Sequence, residues 1–519
     1  MARSTDPEAV KDPASSYESE TLTQRTEALH AANGDQHNRS TDSDQASVIS
    51  WDGPSDPENP FNWPTSRKWL ITLTTCFITL IVGINATAIA SAAEEINHEF
   101  GVSDEHFPHS YWPVCSWNVG AALMPLVVLP LMENFGVRTG YLISYAVFII
   151  FIFPQAFAKN FATLIITRIF TGGAASVLEN ITGGIVSDIW QGEKARSLPI
   201  NLYIWALLAG VTVGPVIGGG IIHHLEWRWI FYIQLILYAV FFPPLFLIIR
   251  EPRGPIILKE RAKHLRHETG KDVHARAEKD APSLPQLIRE SVIRPLHMLT
   301  TEYVVFTFTL WSAFAFGTVF LFTQSITQVY TTLYTWPPFL TGTVQSAVVI
   351  GQTVGLVVSL YQNRLYDASA KRNDESPGRP IPEARLYLAI PGSFLGLTAG
   401  FFWFGWTSYA DLPWILSAIG LGLVGFGIFT VVAAVSNYIT DAYAKYAASG
   451  LAAIAFGENI FAALMPLASK ALYTDLGLHW ASSLLGFLAL VLSFAPVVLM
   501  VWGLQIRKRS PLMREAGQD

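Results

Sequence analysis

The stretch AGVTVGPVIGGGI, residues 209–221, lies inside a run otherwise made of Leu, Ile, Trp and Val. In a soluble helix interior each glycine would cost about 1 kcal/mol and Pro215 about 3 kcal/mol, so breakers this dense need a compensating contact. Gly210, Gly214 and Gly218 recur every four residues. They line one face of a helix, where a neighbouring backbone can come close. Pro215 frees a backbone carbonyl, which an apolar surrounding tolerates only where a partner helix or a cavity satisfies it. Simple helix packing accounts for the glycines alone, whereas the whole order G-x-x-x-G-P-x-x-G-G, with Gly219 as its last member, is more specific.

The rest of the chain sets the surroundings of that helix. Of 519 residues, 51% are hydrophobic and only 14% charged, which excludes the surface chemistry of a soluble enzyme. Uncharged apolar runs of about 18 residues or more read as membrane helices, since about 20 residues at about 1.5 Å each cross a hydrocarbon core about 30 Å thick. Twelve such runs are present, at 69–92, 113–132, 140–158, 161–186, 198–222, 229–249, 302–325, 337–360, 386–407, 413–437, 447–472 and 480–504. The fold class is therefore an all-α membrane protein of twelve transmembrane helices in two six-helix pseudo-repeats.

Net charge, −6, says less than charge placement. Arg67 and Lys68 precede the first run, whereas loop 93–112 holds Glu94, Glu95, Glu99, Asp104 and Glu105 without Lys or Arg. Bases return in loop 250–297, in loop 361–385 and at Arg507, Lys508 and Arg509. All basic clusters fall on one side of the serpentine, which the positive-inside rule assigns to the cytosol together with both termini. The first apolar run follows a long polar tail, so it reads as an anchor rather than a cleaved signal peptide. Cys76 and Cys115 lie in apolar spans and make neither a disulfide framework nor a metal site.

Five segments follow: a polar, disordered cytosolic tail over 1–68, a six-helix bundle over 69–249, a cytosolic linker over 250–301, a second bundle over 302–504 and a cytosolic tail over 505–519. The proline-punctuated run WDGPSDPENPFNWP, 51–64, suits an extended segment against the membrane face. Within the linker, PQLIRESVIRPLHML, 285–299, alternates basic and apolar residues as a surface-lying helix does. Such basic interleaving can signal nucleic acid, but beside membrane spans it points to anionic lipid instead.

Gly210-x-x-x-Gly214-Pro215-x-x-Gly218-Gly219 resembles the antiporter signature of the major facilitator superfamily, in its twelve-span drug:proton antiporter branch. Its flanks agree: RIFTGGAASV (168–177), SDIWQGEKARSLPINLY (187–203), WRWIFYI (227–233), GRPIPEARLY (378–387) and LYTDLGLHWASSLLGF (472–487) are similar to fungal efflux proteins of that family. The resemblance spans about residues 51–505. It implies that the glycine helix is a flexible, tightly packed seam between two halves that rock about a central cavity, and it associates that seam with export. A second family pattern, an acid followed by Gly and two bases, reads here Glu133-Asn134-Phe135-Gly136-Val137-Arg138, with Val137 in place of the first base. The resemblance makes this loop a cytosolic gate, with Asp188 as the partner of Arg138.

Charges within spans are costly and so informative. Arg168 lies in the fourth run, at the family's buried-arginine position, which implies a part in proton coupling by tuning a nearby acid. Glu179 follows eleven residues later on the same helical face, as a substrate or proton carboxylate. Glu458, in the eleventh run and followed by Asn459, is a candidate proton carrier, because burial disfavours a charged carboxylate. Against each stands a bland reading as a structural pair or packing residue. Asn85, Asn118, Tyr203, Trp205, Trp311, Phe316, Gln345, Gln352, Asn437 and Asn459 are candidate cavity lining, each of which taken singly is more often helix glue. His223 and His224 read as interfacial.

No P-loop, H-E-x-x-H or Cys–His zinc spacing is present, so neither an enzyme, an ATP site, a metal nor another cofactor is expected. The reading is a monomeric proton-coupled exporter of a small organic compound, in the plasma membrane, with substrate, protons and lipid as partners. A proton symporter for uptake fits the same fold, and a ligand sensor fits less well because the N-terminal tail is featureless.

Overall fold

A computed structural model describes residues 48–105, 108–270, 272–279, 284–373 and 380–516. Most of the expected N-terminal tail, through residue 47, lies outside these residues, and so do the side chains of Glu133 and Asn134.

The expected runs become helices α1 (Thr65–Ala88), α2 (Trp112–Phe135), α3 (Val137–Ala156), α4 (Phe161–Ile189), α5 (Glu193–Ile222) and α6 (Arg228–Ile248) in the first half. The second half holds α7 (Tyr303–Tyr334), α8 (Ser346–Ser369), α9 (Ala399–Thr407), α10 (Trp414–Tyr443), α11 (Ala447–Asp475) and α12 (Gly477–Arg509). Among the described residues, eleven stretches are long and apolar enough to cross a membrane. One of them, Trp414–Asp475, has 62 residues. At about 1.5 Å per residue that is far more than one crossing needs. It contains both α10 and α11, parted at Ala444, a non-glycine residue with φ of 34°. Twelve helices in two sets of six result.

Several boundaries follow local chemistry. Asn160 caps α4 by accepting from the Thr163 amide at 2.8 Å, the N-cap role its short side chain serves. Gly136, at φ 96°, makes the turn between α2 and α3, a backbone region that glycine occupies without strain. Two spans are longer or less regular than apolarity indicated. The first continues past α1 through a 3₁₀ turn (Ile89–Ala92) into the acidic helix Ala93–Phe100. The ninth approaches α9 through a 3₁₀ turn (Pro382–Leu386) and a π-helical segment, Gly392–Thr398.

The described chain divides into two compact units. One combines the chain up to Asp56 with Pro255–Ala281. In it Val48–Ile49 pair in parallel with His274–Ala275, and Arg261 holds Asp56 at 2.9 Å together with Asp52. Arg266 sits 2.8 Å from Glu278, and this guanidinium draws the carboxyl down to about 2. The run beginning at Trp51 is thus divided: 51–56 belong with the linker, and from Pro57 onward the chain belongs to the other unit. That larger unit, Pro57–Gly254 with Pro282–Asp519, contains all twelve helices. It also contains the linker helix Leu284–Thr301, which the basic-apolar alternation had indicated.

Within the helical unit, glycines set the closest approaches. A Cβ on Gly120 would overlap the Ile169 carbonyl oxygen and one on Gly172 the Trp117 oxygen, locking α2 to α4. In the second half Gly351 meets the Gly422 oxygen and Gly425 the Val348 oxygen in the same way, locking α8 to α10.

Candidate functional site

The glycine helix α5 packs on α1. A Cβ on Gly210 would overlap the Leu80 carbonyl oxygen, one on Gly214 the Thr87 hydroxyl and one on Gly218 the Ala88 oxygen. Pro215 has no N–H to give the carbonyl four residues earlier, that of Val211. The Thr87 hydroxyl of α1 donates to that carbonyl at 2.6 Å, and Ser91 donates to the carbonyl of Pro215 itself at 3.0 Å. The partner helix therefore satisfies what the proline leaves open. Gly219 is buried at the end of this helix and its carbonyl accepts from His223. A Cβ on Gly220 would meet nothing within 4 Å, so this glycine is no part of the seam.

The opposite side of α5 meets the second half. Gln352 Nε2 donates to Thr212 at 2.9 Å and Trp205 Nε1 to Thr353 at 3.0 Å. His223 stacks on Phe339 with centroids 5.0 Å apart. Single elements thus join α5 both to α1 in its own half and to α8 in the other.

Arg168 is fully buried, and its partners are not carboxylates. Nε donates to Pro113 O at 2.7 Å, Nη1 to Asn85 O at 2.9 Å and Nη2 to Ala86 O at 2.6 Å. Asn85 completes the cluster, donating to Gln234 at 2.7 Å and accepting from Trp117 at 3.2 Å. Arg168 therefore clamps the ends of α1 and α2. Its expected approach to Glu179 does not occur, because eleven residues of helix rise separate them by about 16 Å although they share a face.

Glu179 is 8% exposed, and its Oε1 is buried without a hydrogen-bond partner. One turn on, Gly183 leaves room for the ring of Tyr203, whose Cε1 would lie 3.3 Å from a Cβ there. Glu458, on α11, accepts a hydrogen bond from Ser312 of α7. Of the three interior charges named from the sequence, Arg168 is set among backbone carbonyls, Glu179 lies one turn before the glycine that meets Tyr203, and Glu458 bonds to α7.

The candidate lining residues scatter. Asn85 belongs to the Arg168 cluster, and Gln345 donates to Phe322 O at 3.2 Å. Trp311, fully buried, donates to Ser393 at 3.0 Å. Phe316 packs on Phe320 at 5.5 Å. Asn118 and Asn459 bond back to the carbonyls of Val114 and Ala455 on their own helices. Asn437 lines a small space of about 30 Å³ with Asn201, Gln362 and Arg385.

At the α2–α3 loop, Glu251 meets the first turn of α3. Its carboxylate accepts from the amides of Val137 and Arg138 at 3.1 and 2.9 Å, while the Arg138 guanidinium lies 5.2 Å over Phe246. A second constellation escaped the sequence reading. Arg385 is 2.7 Å from Asp441, lies 3.5 Å over Tyr366 and comes within 3.9 Å of Glu193 from the other half. Arg385 and Glu193 stand in segments already matched to the family, so acids and bases at span ends were the available signal. Gln234, a lone amide in apolar α6, was equally visible.

Comparisons with known proteins agree with this architecture. Residues 75–466 match the Major Facilitator Superfamily. The MFS-type transporter mpsC of Macrophomina phaseolina is 33% identical over 91% of this chain and 92% of its own length. The citrinin biosynthesis cluster MFS transporter mrr1 of Monascus ruber is 33% identical over 89% and 92%. The efflux pump atB of Aspergillus terreus is 30% identical over 89% of each. Among solved structures, the proton:xylose symporter XylE aligns at a TM-score of 0.60 with 14% identity, over 85% of this chain and 96% of that one. The human organic anion transporter MFSD10 aligns at 0.55 with 16% identity, over 84% and 100%. At such identities the two structures speak for the fold.

Proposed function

Because the chain belongs to the Major Facilitator Superfamily, and is thus a multi-pass membrane transporter of a small organic compound rather than an enzyme, we propose that it is a proton-driven exporter. The compound is a secondary metabolite or toxic xenobiotic moved outward across the plasma membrane by alternating access. It acts as a monomer with both termini in the cytosol, drawing on the proton gradient without ATP or a cofactor. The basic clusters on one side of the serpentine support that orientation, and relatives named for an efflux pump and a biosynthesis cluster support export.

The observation that carries the reading is the placement of Glu458. A membrane-interior carboxylate held by a hydroxyl, with no basic partner among the described residues, can change protonation without orphaning a buried cation. An inward-moving proton taken by Glu458 alters the α7–α11 contact, while α5 holds its fixed contact with α1.

Two measurements test this. Glu458→Gln in proteoliposomes with an imposed pH gradient is expected to abolish gradient-driven flux, and full coupled flux in that variant overturns the carrier role. Comparing metabolites inside and outside the source cell, with and without the gene, tests direction. A compound that accumulates inside the deletion strain and disappears from its medium supports export, whereas one left unconsumed in the medium establishes uptake.

A further inference from the structure

We propose that Thr309 is a positioning residue for the proton on Glu458: the protonated carboxyl donates its O–H to the Thr309 hydroxyl oxygen, so that proton uptake adds a second bond between α7 and α11. The proposal rests on the proton-carrier reading of Glu458 above and adds the group that receives the proton's hydrogen bond.

The hydroxyls of α7 divide by their partners. Thr307, Thr318, Thr323 and Ser325 each donate to a carbonyl three or four residues earlier on α7, the usual outlet for a hydroxyl inside a helix. Ser312 and Thr309 do not follow them. Ser312, fully buried, donates across to Oε1 of Glu458. Thr309 is 4% exposed, and its hydroxyl oxygen is buried with no hydrogen-bond partner. The residue nevertheless lies against α11, because a Cβ on Gly457, the neighbour of Glu458, would overlap its Cγ2 methyl. Thr309 and Ser312 stand three residues apart, about 4.5 Å along the helix, so both meet the same part of α11.

Counting donors and acceptors gives the unmet hydroxyl a role. An ionised carboxylate only accepts, and Ser312 serves it, whereas a protonated carboxyl has in addition one O–H to give. A buried donor left unmet is costly, and buried hydroxyls in native structures normally have a partner. A proton placed on the carboxyl oxygen that Ser312 does not hold, and turned toward Thr309, removes both deficits while the Ser312 bond persists. Among the described residues no charged group competes for it. α7 holds no Asp, Glu, Lys, Arg or His, and on α2, α10 and α12, which also pack against α11, those residue types stand in the end turns, at Glu133, Asp441, His479 and from Arg507 on. On α11 itself Lys470 comes more than three turns after Glu458, and Arg294 of the linker helix lies over Tyr446, ahead of α11. Proton uptake thus changes the α7–α11 contact in a defined way, from one cross-helix hydrogen bond at Glu458 to two.

The carbonyl stretch of a protonated carboxyl reports its hydrogen bonds, so the test is an infrared difference spectrum, acidic minus alkaline, of the purified full chain in lipid, and it needs no substrate. The protonated-acid band that is lost in Glu458→Gln belongs to Glu458. Thr309→Val, which keeps the volume and removes the hydroxyl, is expected to move that band to higher wavenumber. Thr309→Ser, which keeps the hydroxyl, should leave it in place, an outcome that packing of the methyl alone would not give. Melting temperatures supply a second reading: Thr309→Val should melt below the unaltered chain at acidic pH and level with it at alkaline pH, because the bond exists only with the proton in place. Thr309→Ala repeats both measurements if the valine variant folds poorly. A band unmoved in the hydroxyl-free variants, or an equal loss of melting temperature at both pH values, overturns the assignment of Thr309 and leaves Glu458 as the carrier. If Glu458→Gln removes no band, the acid takes up no proton and both readings fall. If the band shifts as expected while gradient-driven flux survives in Glu458→Gln, the hydrogen bond stands and the carrier role fails alone.

Discussion

In the first half α5 lies on α1 through glycines whose nearest neighbours are backbone atoms or a hydroxyl bonded to backbone; in the second half α11 lies on α7 through glycines whose nearest neighbours are side chains. A Cβ on Gly210 or Gly218 would run into a carbonyl oxygen of α1. A Cβ on Gly457 would instead meet Cγ2 of Thr309, and one on Gly317 would lie 3.2 Å from Met465 Cγ and from Phe461 Cβ. The lateral pairs, α2 with α4 and α8 with α10, are alike in both halves, since each uses glycine against carbonyl. The central pairs diverge. A backbone-to-backbone contact has one separation, because neither side can change rotamer, whereas a side-chain contact can repack. The acid Glu458 sits in the adaptable pair, and the fixed pair carries no charge at its interface.

The largest expected effect breaks the fixed pair. Gly210→Ala or Gly218→Ala forces α5 off α1, and overpacking of this kind costs about 1–3 kcal/mol or more. Flux in proteoliposomes should fall more than tenfold, and no single side-chain truncation on α1 should restore it, since the obstacle is a carbonyl. Recovery through such a truncation would show that the seam is not backbone-limited. Gly457→Ala comes next, with a smaller loss of flux because its obstacle is the Thr309 methyl. Thr309→Ser removes that methyl, so the double variant should regain most of the flux and thermal stability; additive damage would place the fault elsewhere. Thr87→Val is milder still. It removes the hydroxyl that serves the Val211 carbonyl, and interhelical hydrogen bonds in membranes average about 0.6 kcal/mol and reach about 1.7 kcal/mol. A lower melting temperature with flux reduced a few-fold is expected.

The close helix contact was legible in residues 209–221, because glycine spacing declares a face without needing to know the neighbour. The identity of that neighbour was not legible: nothing local in Leu80, Thr87 or Ala88 marks them as the atoms that α5 approaches. The twelve runs could be counted from apolarity, but their ends were missed where polarity rises inside a continuing helix. Thr323, Gln324 and Ser325 hid the last turns of α7, which continues to Tyr334. Arg168 could be seen as buried, yet its role depended on carbonyls at Asn85, Ala86 and Pro113 that only tertiary packing brings together. The same holds for Trp311, whose type suits a cavity but whose indole is bound to Ser393. Beside Arg138 the motif named Asp188, whereas the bond from the Arg138 amide to Glu251, just beyond α6, was not legible because the two lie 113 positions apart in the chain.

The smallest expected effect separates two meanings of a glycine-rich helix. If the glycines of α5 serve flexibility, then Gly220, in the same GGG run, should matter as much as Gly218. If they serve close approach, Gly220 should be dispensable, since nothing lies within 4 Å of a Cβ placed there. Alanine is the better helix former by about 1 kcal/mol, so Gly220→Ala should keep flux within twofold and hold or slightly raise the melting temperature. A collapse of flux in this variant, with the fold intact, would move the function of the run from contact to bending. Beside an inactive Gly218→Ala two residues away, an active Gly220→Ala would instead assign the effect to the Ala88 carbonyl, because both substitutions stiffen the helix alike and only one meets the neighbouring backbone.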